Sequence, residues 1–149
     1  MSPGQRRVSK RALFPGIDTG NYHPGLRDPQ IPEIDAGMPH SVWVSKQLGR
    51  PVIKAFNNIL AHTLAGLGRP EGSDGRLDIA VAGDDVGSMQ IVMDVGNETG
   101  FDSVDAGSLD ESWRQRPGTP AYCCDYDAEK TRKGLAAAIR AKRQRNSSI

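Results

Sequence analysis

The sequence predicts an α/β fold, an open parallel sheet with flanking helices and a further helix at the C-terminus. Three observations carry this. Short apolar runs, "PVIKAF", "LDIAVAG" and "FDSVDAG", are each followed within a few residues by a segment of helical character. The connections are short, as parallel β–α units require, and the right-handed crossover rule leaves their helices little freedom of placement. An alanine-rich stretch after Asp127 supplies the last helix.

Taken in order, residues 1–15 ("MSPGQRRVSKRALFP") show no usable period and read as a basic, poorly ordered lead-in. The next stretch, to about Pro39, is rich in Gly and Pro and reads as a loop entered by a short strand through Ile17. Asp18, Asn21 and Asp28 can satisfy its turns. "HSVWVSKQLG" predicts a short helix that Ser41 can cap and Gly49 can stop. The strand "PVIKAF" runs directly into "NNILAHTLAGLG", where Ile59, Leu60, Thr63, Leu64 and Leu67 form a helical stripe. After "LDIAVAG", Asp84 or Asp85 can cap a helix carrying Met89, Val92, Met93 and Gly96. "SLDESWRQRPG" predicts one or two helical turns ended by Pro117 and Gly118. Residues 16–127 thus form one domain, and 128–149 a basic helix fraying into a tail.

Composition narrows the class. At 149 residues, 37% hydrophobic and 25% charged, the chain has an ordinary soluble composition and enough apolar content for one core. It has neither an apolar membrane-length segment nor the apolar region of a secretory signal, so a cytoplasmic protein with no membrane partner is expected. The net charge of +1 is unevenly spread. Arg6, Arg7, Lys10 and Arg11 stand at the start without an acid, and residues 128–149 carry seven basic residues against Glu129 alone. No aromatic residues are interleaved with these charges, so solvated ends rather than a nucleic-acid interface are expected. Cys123 and Cys124 are adjacent, a strained arrangement for a disulfide, and the three histidines fit no metal-ligand spacing. No metal site is expected.

Ligands of open α/β sheets bind beyond the carboxyl ends of the strands. The candidates there are Asp18, Thr19 and Asn21, then Ala55 to Asn58, then Gly83 to Asp85, then Asp105 to Ser108. Small residues admit a planar ring to the backbone, and Asn offers an acceptor and two donors to a carboxamide or ribose. Asn57, Asn58, Asp84 and Asp85 serve equally well as helix caps. Motifs of serine hydrolases, zinc proteases and P-loop enzymes are absent. So is G-x-G-x-x-G, since "GLGRPEG" has the wrong spacing and follows a helix.

Four segments in linked order carry a resemblance: "IDTGNYHPG", "SVWVSKQLGRPVIKAFNNI", "VAGDD" and "GFDSVDAGSLDESWRQRPGTPAY". Over about residues 17–127 they resemble the C-terminal part of dinucleotide-binding oxidoreductases related to the deazaflavin-dependent NADP reductases. They also resemble the reductase domain of the STEAP metalloreductases. The resemblance implies an incomplete Rossmann-like, NAD(P)-binding sheet whose N-terminal, G-x-G-x-x-G-bearing half is missing, as in a truncated product or a shortened paralogue. It implies hydride transfer between NADPH and a small-molecule, deazaflavin or flavin acceptor, weak or lost in this chain alone. By the same resemblance Asn21 faces the nicotinamide end of the cofactor, Ala55 lies along it and Asn57 is close by. Thr19 and Phe56 are further cofactor-binding candidates. Hydride transfer needs no obligatory side-chain acid, and no catalytic residue follows. The alternative is a non-catalytic interaction module, in which an exposed sheet edge pairs with a second copy or with a chain supplying the first half. Arg114 and Arg116 could meet an anion but read better as solvated or salt-bridged, and Trp43 and Trp113 read as core or contact residues.

Overall fold

The computed structural model describes residues 15–140, so the expectations for the basic lead-in and for the tail after Arg140 lie outside the described residues. The fold is α/β, with small parallel sheets and flanking helices. β1 (Gly16–Asp18) pairs in parallel with β2 (Val52–Lys54), Ile17 opposite Ile53. β3 (Asp78–Val81) pairs in parallel with β4 (Asp102–Asp105), Ala80 opposite Val104. The two pairs meet where Lys54 and Ala82 exchange backbone hydrogen bonds of 2.8 and 2.9 Å.

N-terminal to that bridge, β3 meets no strand on its β2 side among the described residues, and other groups satisfy its backbone. Asp78 N–H donates to the Tyr126 carbonyl at 2.9 Å. Ala80 N–H donates to Asn58 Oδ1 at 3.4 Å, and the Ala80 carbonyl accepts from Gln115 Nε2 at 3.1 Å. Ala80 and Gln115 are both fully buried, so unpaired groups here would cost about 1–3 kcal/mol each. Polar side chains therefore form the seam of the sheet.

Strand alternation divides the core. Ile53, Ile79 and Val81 pack with Met89 and Val92 of α4 (Val86–Glu98) and with Phe101. Ala80 and Val104 face Ala121 and Leu135 of α5 (Ala128–Ala137) on the other side. Asp85 caps α4 by accepting from Ser88 N–H at 2.8 Å, and Asp127 caps α5 through Lys130 N–H at 2.9 Å. Asp84 instead accepts from Leu109 N–H at 3.0 Å and anchors the 3₁₀ helix Leu109–Gln115.

Two expectations shift. The Gly- and Pro-rich loop contains a short helical turn, α1 (Pro32–Asp35), because Pro32 presets its first dihedral and Glu33 suits a helix start. After β2 the helix α3 starts only at Ala61 and ends at Gly66. Phe56 takes φ 62, a left-handed conformation uncommon outside glycine, and this turns Asn57 and Asn58 inward to the seam instead of into a helix cap. The helix α2 (His40–Leu48) forms and stops at Gly49 as expected, the φ of 65 there suiting its missing side chain, but it starts after Pro39, so Ser41 lies within the first turn and donates to Asp18 instead of capping the helix. Among the described residues no helix is long and apolar enough to cross a membrane.

Gly100 shows how tightly loops approach. At φ 104, an added Cβ would lie 2.6 Å from Gly68 Cα and 2.7 Å from Arg69 N. Backbone cannot yield as a side-chain tip can. Gly100→Ala is expected to destabilise the fold by about 2–3 kcal/mol, read from urea unfolding midpoints, whereas Gly72→Ala meets only its own φ penalty. Equal effects at the two sites would contradict the close approach.

Candidate functional site

β1 and β2 end side by side at Asp18 and Lys54, and a cavity of about 1230 Å³ opens beside these carboxyl ends. Alternation sends Ile53 into the core and Lys54 to the opposite face, beneath the first turn of α2. A lysine in the middle of the sheet cannot reach water. Lys54 is 3% exposed, and its ammonium donates to Asp18 Oδ2 at 3.1 Å and to the Gly20 carbonyl at 2.5 Å. Its remaining contact is His40 Nδ1 at 3.4 Å. Asp18 also accepts from the Ser41 hydroxyl at 2.7 Å and the Gly20 N–H at 2.9 Å.

The electrostatics follow from this crowding. Burial alone would raise the Asp18 carboxyl, but the Lys54 charge and the hydrogen bonds from Ser41, Gly20 and Lys54 together hold it below its ordinary value. Burial pushes the Lys54 ammonium down, and Asp18 works against that shift. Burial and then the neighbouring Lys54 charge lower His40, against the weaker pull of Asp18. Asp18 and Lys54 form an ion pair at 3.1 Å, and the surroundings favour the neutral form of the imidazole beside it. The His40 ring is stacked with Tyr22 and with Trp43, at centroid distances of 6.2 and 6.4 Å.

Of the sequence candidates, Asn21 lines the cavity. Its side-chain amide donates to the Asn57 carbonyl at 3.0 Å and its Oδ1 accepts from Asn57 Nδ2 at 3.1 Å. Asn57 lies behind it, 2% exposed, donating also to the Gln115 carbonyl at 2.8 Å and accepting from Gln115 Nε2 at 3.0 Å. Its hydrogen-bonding capacity is largely spent on the protein. Ala55 is fully buried and donates its N–H to the Asp18 carbonyl at 3.2 Å. Phe56 packs on the core, and exposed Thr19 stands outside the cavity lining. Arg114 pairs with Glu111 at 2.7 Å and lies over the Trp113 ring at 4.6 Å, while Arg116 and Trp113 reach the cavity wall.

Lys54, His40 and Gln115 were not singled out from the sequence, and Ser41 only as a helix cap. For Lys54 a signal exists. A charge inside the apolar run "PVIKAF" must find a carboxylate, and Asp18 directly follows Ile17 in the short strand predicted upstream. His40, Ser41 and Gln115 carry no comparable signal, because tertiary packing alone brings them in. Among the described residues no group of three or more His, Cys, Asp or Glu is arranged to hold a metal ion.

Comparison with known proteins bears on the fold. No protein-family model matches the chain. It is 59% identical over 79 residues to the protein YjhV of Escherichia coli K12, covering 53% of this chain and 50% of YjhV. The chain thus spans about half the length of that relative. Among solved structures it resembles the hypothetical protein SMa0349 from Sinorhizobium meliloti, with 24% identity and a TM-score of 0.61. That match covers 80% of this chain and 59% of the other, and shows a shared fold. A second structure, from Arthrobacter sp. FB24, is provisionally described as an f420-dependent NADP-reductase. It matches 46% of this chain and 31% of its own length at 22% identity, with a TM-score of 0.39, too low to bear on function.

Proposed function

We propose that the chain belongs to the NAD(P)-dependent oxidoreductases and carries the acceptor side of a hydride-transfer site. NADPH is the donor and a small molecule, deazaflavin or flavin the acceptor. The observation that carries this reading is the cavity at the carboxyl ends of two parallel strands, with Asn21 in its wall and the Asp18–Lys54 ion pair behind it. The ordered motifs in the sequence point the same way. Without a G-x-G-x-x-G loop the chain lacks backbone donors and a helix dipole for the pyrophosphate, each contributing on the order of 0.5–2 kcal/mol. NADPH binding by this chain alone is therefore weak. Amide NMR during an NADPH titration is expected to show shifts at Gly20, Asn21 and Ser41 that saturate only in the millimolar range. A low-micromolar dissociation constant rejects the weakness, and shifts confined to other regions reject the site.

A second reading, pairing through a sheet edge, is favoured by β1. It has a strand neighbour on one side only among the described residues, and Ile17 is 40% exposed. A second copy, or a chain supplying further strands, would cover it. Light scattering after size exclusion is expected to show a concentration-dependent dimer. A monomer at the highest attainable concentration removes this support.

A further inference from the structure

His40 lines the cavity wall, and its neighbours bear on which ring nitrogen carries the proton. Lys54 has three ammonium protons and three acceptors: Asp18 Oδ2, the Gly20 carbonyl and His40 Nδ1. An ammonium cannot accept, so Nδ1 carries a lone pair and the imidazole proton resides on Nε2. Asp18 Oδ2, 3.9 Å from Nδ1, is already committed to Lys54 and Ser41. The stacking of Tyr22 and Trp43 on the ring holds its plane. Nε2 lies on the far side of the ring from Lys54 and meets no acceptor among the described residues, while the ring lines the cavity.

The charges around the cavity indicate what this donor meets. Lys54 is matched by Asp18, and the other lining charges balance, with Lys46, Arg116 and Arg140 against Glu33, Asp35 and Asp110. Among the described residues such a wall has no surplus cation for a phosphate. A single N–H held beside the face of Tyr22 suits an sp² oxygen on an uncharged, flat molecule.

We propose that His40 is a ligand-binding residue whose Nε2–H donates a hydrogen bond to the carbonyl oxygen of a neutral planar molecule in this cavity. The inference rests on the cavity being the ligand site but not on the dinucleotide. Other charged groups facing the ring, Asp28 and Arg27, lie farther off and act in opposite directions on its protonation.

The test uses the full chain with labelled histidine, acetophenone as probe and phenylethanol, its alcohol, as control. At pH 7 the ring nitrogens of His40 are expected to report the Nε2–H form. Acetophenone should move the Nε2 signal and bind at least tenfold more tightly than phenylethanol. His40→Phe, which keeps a stacked ring, should weaken acetophenone at least tenfold. An Nδ1–H form or an imidazolium at pH 7 in the unmodified chain overturns the proposal, even if the variant fails to fold. Equal affinity for ketone and alcohol, no shift at Nε2, or undiminished binding by His40→Phe also overturns it. If NADPH leaves the cavity amides unmoved while acetophenone still moves Nε2, the dinucleotide reading falls and this one stands.

Discussion

Lys54→Met is expected to lower folding stability by about 3–5 kcal/mol, because it leaves the Asp18 carboxylate buried and without its cation. The side chains of the pair are 4% and 8% exposed, so water cannot stand in for the missing ammonium. The Gly20 carbonyl loses its donor in the same step. Adding Asp18→Asn should recover part of the loss, since an amide needs no counter-ion, its single oxygen can still accept from the Gly20 N–H, and its NH2 can donate to a Ser41 hydroxyl that turns to accept. Urea unfolding of the two single variants and the double variant measures the coupling. Strictly additive losses would show that the charges do not depend on each other. Because Asp18 is held below 3.8 in the fold, its contribution is fully present above that value and disappears as pH falls through the folded pKa.

Asp78 gives the opposite pH dependence. It begins β3, is 4% exposed, and neither carboxylate oxygen has a hydrogen-bond partner among the described residues. Burial pushes its carboxyl from 3.8 up to about 8. Thr131 of α5 draws the value down but does not close a hydrogen bond, and Asp102 and Asp127 add to the rise while Arg132 opposes it. The folded chain therefore keeps a proton that the unfolded chain releases. Stability is fully favoured below the unfolded value of 3.8 and declines as pH rises toward about 8. Asp78→Asn has no proton to lose and should be more stable than the parent at pH 8 by about 2–5 kcal/mol, with little difference at pH 4. Unfolding curves at the two pH values decide it. A parent chain whose stability rises from pH 5 to pH 8 while the variant stays flat would show that Asp78 is ionised and paired.

Much of the backbone plan was legible because it is local. Periodicity located β2, β3, β4 and the helices after them, and the caps at Asp85 and Asp127 followed from side chains that reach only three residues along the chain. The misplaced start of α3 has the same kind of cause in reverse. Asn57 and Asn58 look like caps in sequence, yet they serve partners at Gln115, Ala80 and Ala121, contacts that no local pattern records. The site divides similarly. Strand-end reasoning reached Asn21, which lines the cavity, whereas His40 and Ser41 come from a helix whose approach to β1 is set by packing. Lys54 was readable in principle, because a buried charge obliges a partner.

The amide seam also sets where the domain can give way. A strand ladder breaks only by exposing many backbone groups together, but here three side chains, Asn57, Asn58 and Gln115, stand between β2 and the buried stretch of β3. Each amide can be exchanged for a water molecule without unpairing β1 from β2 or β3 from β4. Among the described residues the Lys54–Ala82 bridge is the one backbone bridge between the two strand pairs, and the packing of Ile53 with Ile79 and Val81 is what else holds them together. A break along this seam would open directly behind Asn21 and Lys54, and Gln115, which donates to both Asn57 and the Ala80 carbonyl, is the side chain that closes it.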